Sequence, residues 1–258
     1  MTNFIPLTTA NVLVTGGSDG IGRALAERFV KSGARVLVTG RSADRLGRAA
    51  SALPGLQTFV NDISLAEQRE RLAQYVRDVM PALNILINNA GIQRRVSLAA
   101  DTAPWSEQQA EIDTLFCGPV HLNHLLVPVM LTHGGHSMIA NITSGGAYIP
   151  QPFAPVYSAC KAALHSYTMN LRFALAGTPC KVVEIIPPAI RTALAGPGAT
   201  HGAPLDDFSD SVFQTLWDSD AAEVGYGATV APAIQERLSL DRKLFANFSG
   251  RFPVKTYG

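Results

Sequence analysis

Short runs of β-branched and aliphatic residues alternate along the chain with longer stretches whose apolar positions recur every three or four residues. The short runs predict strands at Asn11–Thr15, Arg35–Thr39, Gln57–Asn61, Asn84–Asn88, Ser137–Ile142 and Lys181–Ile186. The amphipathic stretches predict helices at Gly20–Lys31, Asp44–Ala52, Leu65–Met80, Trp105–His133 and Val156–Ala176. Ser64 followed by Glu67 reads as a capping box opening the third helix, and Gly33 suits a left-handed stop after the first. Strands alternating with helices predict an α/β fold: one doubly wound parallel sheet with helices on both faces. No linker or internal repeat interrupts the pattern, so residues 1–258 are read as a single domain.

After Ile186 the pattern loosens. Pro187, Pro188, Pro197 and Pro204, with Gly196, Gly198 and Gly202, predict a long loop. Helical patterns resume near Leu205–Trp217 and Thr229–Leu240, and residues 245–258 form a polar-aromatic C-terminal extension with no predicted element.

Composition narrows the class. Hydrophobic residues make up 47% of the chain and charged ones 16%, against roughly 25% charged in an average soluble protein. That balance excludes a disordered chain. The net charge of +1 gives no broad electrostatic footprint for nucleic acid. Cys117, Cys160 and Cys180 are too few and too scattered for a disulfide framework or a zinc site, which points to a reduced cytoplasm. No signal-peptide pattern opens the chain, and the apolar stretch Leu122–Leu131 is far shorter than the ~20 residues a bilayer requires, so no membrane segment is expected.

The chemistry starts at the first strand, which runs into Gly16-Gly17-Ser18-Asp19-Gly20-Ile21-Gly22 and then a helix. Glycines there allow a tight turn and close backbone approach to a pyrophosphate at the positive helix N-terminus. Asn88-Asn89-Ala90-Gly91 follows the fourth strand, and Tyr157-Ser158-Ala159-Cys160-Lys161 lies in the fifth helix. With these motifs in this order, the sequence over about residues 8–195 resembles the short-chain dehydrogenase/reductase family.

The resemblance implies a Rossmann-like domain, a nicotinamide cofactor and a small carbonyl or alcohol substrate, with no nucleic acid, membrane or metal. It implies cofactor contacts from Gly16, Ser18, Asp19, Gly20, Ile21 and Gly22, from Asp62 and Ile63 on the adenine side, and from Asn89, Ala90 and Gly91 along the adenosine half. Pro187, Ile190 and Thr192 would hold the nicotinamide end. The residues after the second strand bear on which cofactor. An acidic group there would accept from the ribose 2′-hydroxyl, but the chain has Gly40, then Arg41 and Ser42. A guanidinium suits a 2′-phosphate, so NADP(H) is expected in preference to NAD(H).

Tyr157 and Lys161 are four apart, on one face of a helix. A neighbouring ammonium and a cationic nicotinamide favour the phenolate, so Tyr157 is expected to exchange the hydroxyl proton with its pKa lowered. By resemblance, Ser144 hydrogen-bonds the substrate oxygen, while Thr143 should point the other way. Residues 193–207 resemble the lid over substrate, with Leu194, Phe153, Gln93 and Arg94 as candidate pocket residues. Tyr157 and Lys161 also belong to the implied cofactor site.

Two departures stand out. The family's usual Asn midway along the long helix is here Leu115, and Pro188 replaces the usual Gly of the Pro-Gly segment. Pro119 has no N–H for the Leu115 carbonyl four residues earlier, so a water relay through that carbonyl is expected to survive. Two functions remain open: an NADP(H)-dependent oxidoreductase, and a cofactor-binding protein of this fold with weak or no turnover. His121 and His124 are read as packing and surface residues. In assembling family members the two longest helices commonly pair. Residues 105–133 and 156–176 are poor in charge and are expected to form the interface of a homodimer or homotetramer.

Overall fold

Seven parallel strands form one sheet in a computed structural model that describes residues 5–132, 134–196 and 201–258. They are β1 (Asn11–Val14), β2 (Arg35–Gly40), β3 (Gln57–Val60), β4 (Ile85–Asn88), β5 (Ser137–Ile142), β6 (Cys180–Ile186) and β7 (Glu223–Gly225). Their order is β3-β2-β1-β4-β5-β6-β7. The chain winds outward from β1 to β3, then crosses back to β4 and winds the other way. This leaves a switch point between β1 and β4, the place where open α/β sheets bind ligands beyond the carboxyl ends of their strands.

Alternation within each strand explains why both faces need cover. Val12 and Val14 enter one layer with Leu25 and Phe29 of α1 (Gly20–Lys31) and Phe208 and Val212 of α7 (Leu205–Asp218). Leu13, between them, enters the opposite layer. There it meets Leu72 and Val76 of α3 (Ala66–Val79), Leu122 and Leu126 of α5 (Gly118–Thr132), and Leu171 and Leu175 of α6 (Pro155–Leu175). Residues i and i+1 are both apolar and buried on opposite sides, the signature of a doubly covered parallel sheet. Phe29 is also edge-on to Phe213 and Trp217, with ring centroids 5.1 and 5.3 Å away, so Trp217 packs the α1–α7 seam.

Several expectations are corrected. Ser64 does not cap α3; its hydroxyl donates to Asp62 Oδ1 over 2.7 Å, and the helix starts at Ala66 without a side-chain cap. The long helix is not continuous. It is α4 (Trp105–Ile112), a wider π-turn over Asp113–Cys117, and then α5. Pro119 lacks the N–H that an α-helix would give to Leu115, and the Gly118 N–H bonds Asp113 five residues back instead. By length and composition the run Trp105–Thr132 could cross a bilayer, which the shorter apolar stretch did not suggest; half of its most apolar window is buried inside the fold. The last helix, α8, spans Pro232–Ser249, with proline in its first turn, and extends well into the segment left unassigned. The tail beyond it returns to α6, where the Tyr257 N–H donates to the Ala174 carbonyl over 2.9 Å. β7 was not expected, and three residues carry little periodic signal. Gly33 has φ +87°, as a left-handed stop requires. His133 and, in the lid, Pro197 and Gly198 lie outside the described residues.

Candidate active site

The glycine turn after β1 is built for close approach. Gly16 has φ +67°, and a β-carbon on Gly22 would meet the Asn89 side-chain amide and lie 2.6 Å from the Gly16 carbonyl. Asn89 itself ties the turn to β4: its Nδ2 donates to the carbonyls of Thr15 at 2.9 Å and Gly16 at 3.0 Å. The Thr15 hydroxyl in turn accepts from the N–H groups of Asn89 and Ala90. The turn therefore leaves no room for side chains at its bend and presents backbone at the N-terminus of α1, as a pyrophosphate site demands. Asp19 caps that helix, with Oδ1 accepting from the Gly20 N–H at 2.7 Å, and Ile21 packs against the core. Asn88 has a structural role, donating to Asn123 and Asn141 beneath the sheet.

At the end of β2, a β-carbon on Gly40 would lie 3.1 Å from Ser18 Oγ. Arg41 beside it is exposed and makes no ion pair among the described residues, while the Ser42 hydroxyl caps α2 (Ala43–Ala52) by accepting from the Arg45 N–H. On the adenine side, Asp62 Oδ1 accepts from both the backbone and the hydroxyl of Ser64, so that oxygen is already engaged. Ile63 is buried, and its carbonyl accepts from Arg69, whose Nε donates to His121 Nδ1. His121 thus serves packing.

Ser144, Tyr157 and Lys161 converge. Ser144 follows β5, accepts from the Gly146 N–H at 3.0 Å, and its hydroxyl lies against the Tyr157 phenol. Burial pushes that phenol upward, the Ser144 hydrogen bond pulls it down, and the buried carboxylate of Glu111 pushes it up again, leaving it above the usual tyrosine value. In the protein alone burial thus decides the direction, whereas the expected lowering was that of the ammonium and a cationic nicotinamide together. The ammonium lies 5.7 Å from the Tyr157 ring centroid and donates to the Ile142 carbonyl at 2.6 Å. The phenol is held protonated in this arrangement. Lys161 is fully enclosed, and burial brings it down to about 8, opposed by Cys160 and Glu184.

Leu115 is buried in an apolar cluster with Ala154, Tyr157 and Cys160, where the family pattern has a polar amide. Thr143 points away from the site, as expected, and donates to Glu184. Beyond β6, Pro187 accepts from the Gly145 N–H at 2.9 Å, and Thr192 lies 3.5 Å from where a Gly20 β-carbon would stand. The segment expected at the nicotinamide end thus faces the glycine turn. The expected lid segment is tied at its base: Ile190, just before it, is buried, and the Arg191 and Ala203 N–H groups donate to the carbonyls of Ala203 and Ala189 in a short parallel bridge. Ile149, Phe153 and Leu194 expose large apolar side chains. Arg94 is occupied by Asp101, in a two-pronged pair at 2.8 Å, and by Glu107; Gln93 accepts from Arg95, whose guanidinium lies over Phe153.

Two buried carboxylates escaped the sequence reading. Glu111 accepts from the Arg94 N–H at 2.9 Å, one turn before Leu115. Glu184 interrupts the otherwise apolar Val182-Val183-Glu184-Ile185-Ile186, and a charge inside this buried stretch of β6 was the available signal.

Comparison with known proteins agrees with this geometry. Residues 10–201 match the short chain dehydrogenase family. The chain is 40% identical over 188 residues to the uncharacterized oxidoreductase DltE of Bacillus subtilis (strain 168), covering 73% of this chain and 74% of that one. It is 32% identical over 233 residues to sulfoacetaldehyde reductase 2 of Chromohalobacter salexigens, covering 86% and 89%. A solved short chain dehydrogenase from Burkholderia cenocepacia J2315 in complex with NADP superposes with a TM-score of 0.79 at 26% identity, covering 94% of this chain and 98% of that one. The glycine turn, the Asn89 brace and the Ser144–Tyr157–Lys161 cluster sit on the matched segment, and the chain belongs to the short-chain dehydrogenase/reductase family of oxidoreductases.

Proposed function

We propose that the protein is an NADP(H)-dependent reductase of a ketone or aldehyde, or, in reverse, a dehydrogenase of a secondary or primary alcohol. The observation that carries this is the convergence of Ser144, Tyr157 and Lys161, in a chain whose first strand runs into a close-packed glycine turn. The nicotinamide supplies or takes the hydride. The Ser144 hydroxyl and the Tyr157 phenol both reach the carbonyl oxygen, orient it, and stabilise the negative charge that grows there. Tyr157, held protonated by burial, delivers its proton to that oxygen. Lys161 sits beneath the ring and stabilises the phenolate left behind. The Leu115 carbonyl, denied an α-helical donor by Pro119, is the group we assign to holding the relay water that reprotonates the pair.

NADP(H) preference is supported by the absence of an acidic side chain at Gly40, the Ser18 hydroxyl beside it and exposed Arg41, which makes no ion pair among the described residues, and by the NADP in the Burkholderia relative. A second reading, cofactor binding with weak or no turnover, is favoured by buried Leu115 alone. NADPH oxidation with a panel of ketones and aldehydes separates them. Turnover that Tyr157→Phe abolishes supports the enzyme, whereas tight NADPH binding with no turnover on any carbonyl supports the second reading.

We also infer assembly through α6. Its outward residues Ala159, Ala162, Ser166 and Asn170 are exposed and uncharged, which suits close helix pairing between two copies. Light scattering at micromolar concentration tests it, and a monomer refutes it. The three free cysteines fit a cytoplasmic setting.

A further inference from the structure

Glu184 lies at the centre of β6, fully buried, and it does not belong to the three catalytic groups. A carboxylate retained inside a sheet has to be satisfied by donors, and those donors are held in place in return. Oε1 accepts from the Thr143 hydroxyl at 2.6 Å and from the Tyr148 hydroxyl at 2.7 Å. These are the residue before Ser144 and the residue four after it, so one oxygen grips both ends of the turn that carries the serine. Oε2 accepts from His165 Nδ1 at 2.7 Å. His165 stands one turn beyond Lys161 on α6, so the same carboxylate also ties this turn to the helix that carries Tyr157 and Lys161.

The surrounding bonds close the clamp from outside. Gly145 donates to Pro187, Ser158 donates to the Gly146 carbonyl at 2.6 Å, and Arg237 of α8 donates to the Tyr148 carbonyl at 2.6 Å. The far side of the His165 ring faces Asp241 of α8, with Nε2 3.8 Å from its carboxylate. Burial would depress His165, but the Glu184 hydrogen bond and the nearby carboxylates raise it overall, which favours the imidazolium between the two acids. Burial foremost, then Glu184, pushes the Tyr148 phenol far up, so it stays a donor. Glu223 on the neighbouring strand is matched separately by Arg172 and Arg242.

We propose that Glu184 is a positioning residue: through Thr143, Tyr148 and His165 it holds the Ser144 turn in register with Tyr157 and Lys161 on α6. It touches neither substrate nor cofactor. The proposal rests on the reductase reading for its kinetic consequence, but not for its structural one.

Glu184→Gln keeps the shape and removes the charge that gathers three donors. Amide hydrogen exchange of residues 145–149 and steady-state kinetics test it together. The expected result is at least about tenfold faster exchange confined to that segment and a kcat lower by about tenfold, with KM and Kd for NADPH unchanged. A general structural defect would instead raise exchange throughout and weaken NADPH. Unchanged exchange over 145–149 overturns the proposal whatever the kinetics. If the wild-type protein turns over no carbonyl, the reductase reading falls and the exchange result still decides. If Glu184→Gln does not fold, Thr143→Val, which removes one donor and leaves the other two, is read in the same way.

Discussion

Replacing Lys161 by methionine gives a quantitative test of how the site is built, because it removes the buried charge and keeps most of the apolar stem. Burial lowers this lysine from 10.5 to about 8. At 1.36 kcal/mol per pH unit, the folded state carries a penalty of about 3 kcal/mol for holding the ammonium at pH 7. The sign follows from proton counts. Below pH 8 both states are protonated and the penalty is present in full. Between 8 and 10.5 the unfolded chain keeps a proton that the folded chain has released, so folding stability rises with pH. Above both values the penalty is gone. Lys161→Met has no such titration. At pH 7 its relief of the penalty is partly offset by the Ile142 carbonyl losing its donor, a loss of about 1–3 kcal/mol. The absolute difference is thus less informative than its pH dependence. Urea unfolding of the cofactor-free proteins at several pH values between 7 and 10.5 should show wild type gaining about 3 kcal/mol relative to Lys161→Met. In thermal melts this corresponds to about 6–12 °C for a chain of this size. A difference that stays flat across that range refutes the claim that Lys161 is buried at its cost.

Gly22→Ala should abolish NADPH binding, measured by nucleotide fluorescence, with the circular dichroism spectrum retained, because its β-carbon meets Asn89 and the Gly16 carbonyl; an unchanged Kd contradicts the close-packed turn. Gly40→Asp places a carboxylate beside Ser18, where a 2′-phosphate would lie, and should shift preference from NADPH toward NADH by about tenfold or more in kcat/KM. An unaltered ratio removes the basis for assigning NADP(H). Carbonyl reduction should decline as pH rises through about 8, where Lys161 loses its proton. A rate constant from pH 7 to 9.5 would mean that the ammonium has no part in the step.

Most of the fold was legible because both faces of the sheet are covered, which makes strands such as Asn11–Val14 and Ser137–Ile142 nearly continuous apolar runs. What escaped was local. The break at Asp113–Cys117 follows from Pro119, whose effect on the Leu115 carbonyl was anticipated but whose shift of the helical register was not. Ser64 has the spacing of a cap, yet Asp62 two residues earlier offers its hydroxyl a carboxylate, and the local turn wins. The motif residues of the site were readable from order and spacing. Glu184 and Glu111 were not, since their partners Thr143, Tyr148, His165 and the Arg94 amide come together only in three dimensions. The same holds for Tyr157. A phenol beside an ammonium suggests a lowered pKa, but Lys161 donates its hydrogen bond to the Ile142 carbonyl, and in the protein alone burial decides the direction.

Under the proposed function, Tyr157 and Ser144 orient a carbonyl for hydride delivery from the nicotinamide. Isotope transfer tests it most directly: the protein is incubated with NADPH deuterated at the transferring position and a panel of ketones and aldehydes, and the products are analysed by mass spectrometry. The expected product is alcohol carrying one deuterium at the former carbonyl carbon, formed by wild type and not by Tyr157→Phe, although both bind NADPH. Bound NADPH with no deuterium in any product, or equal transfer by Tyr157→Phe, would contradict it.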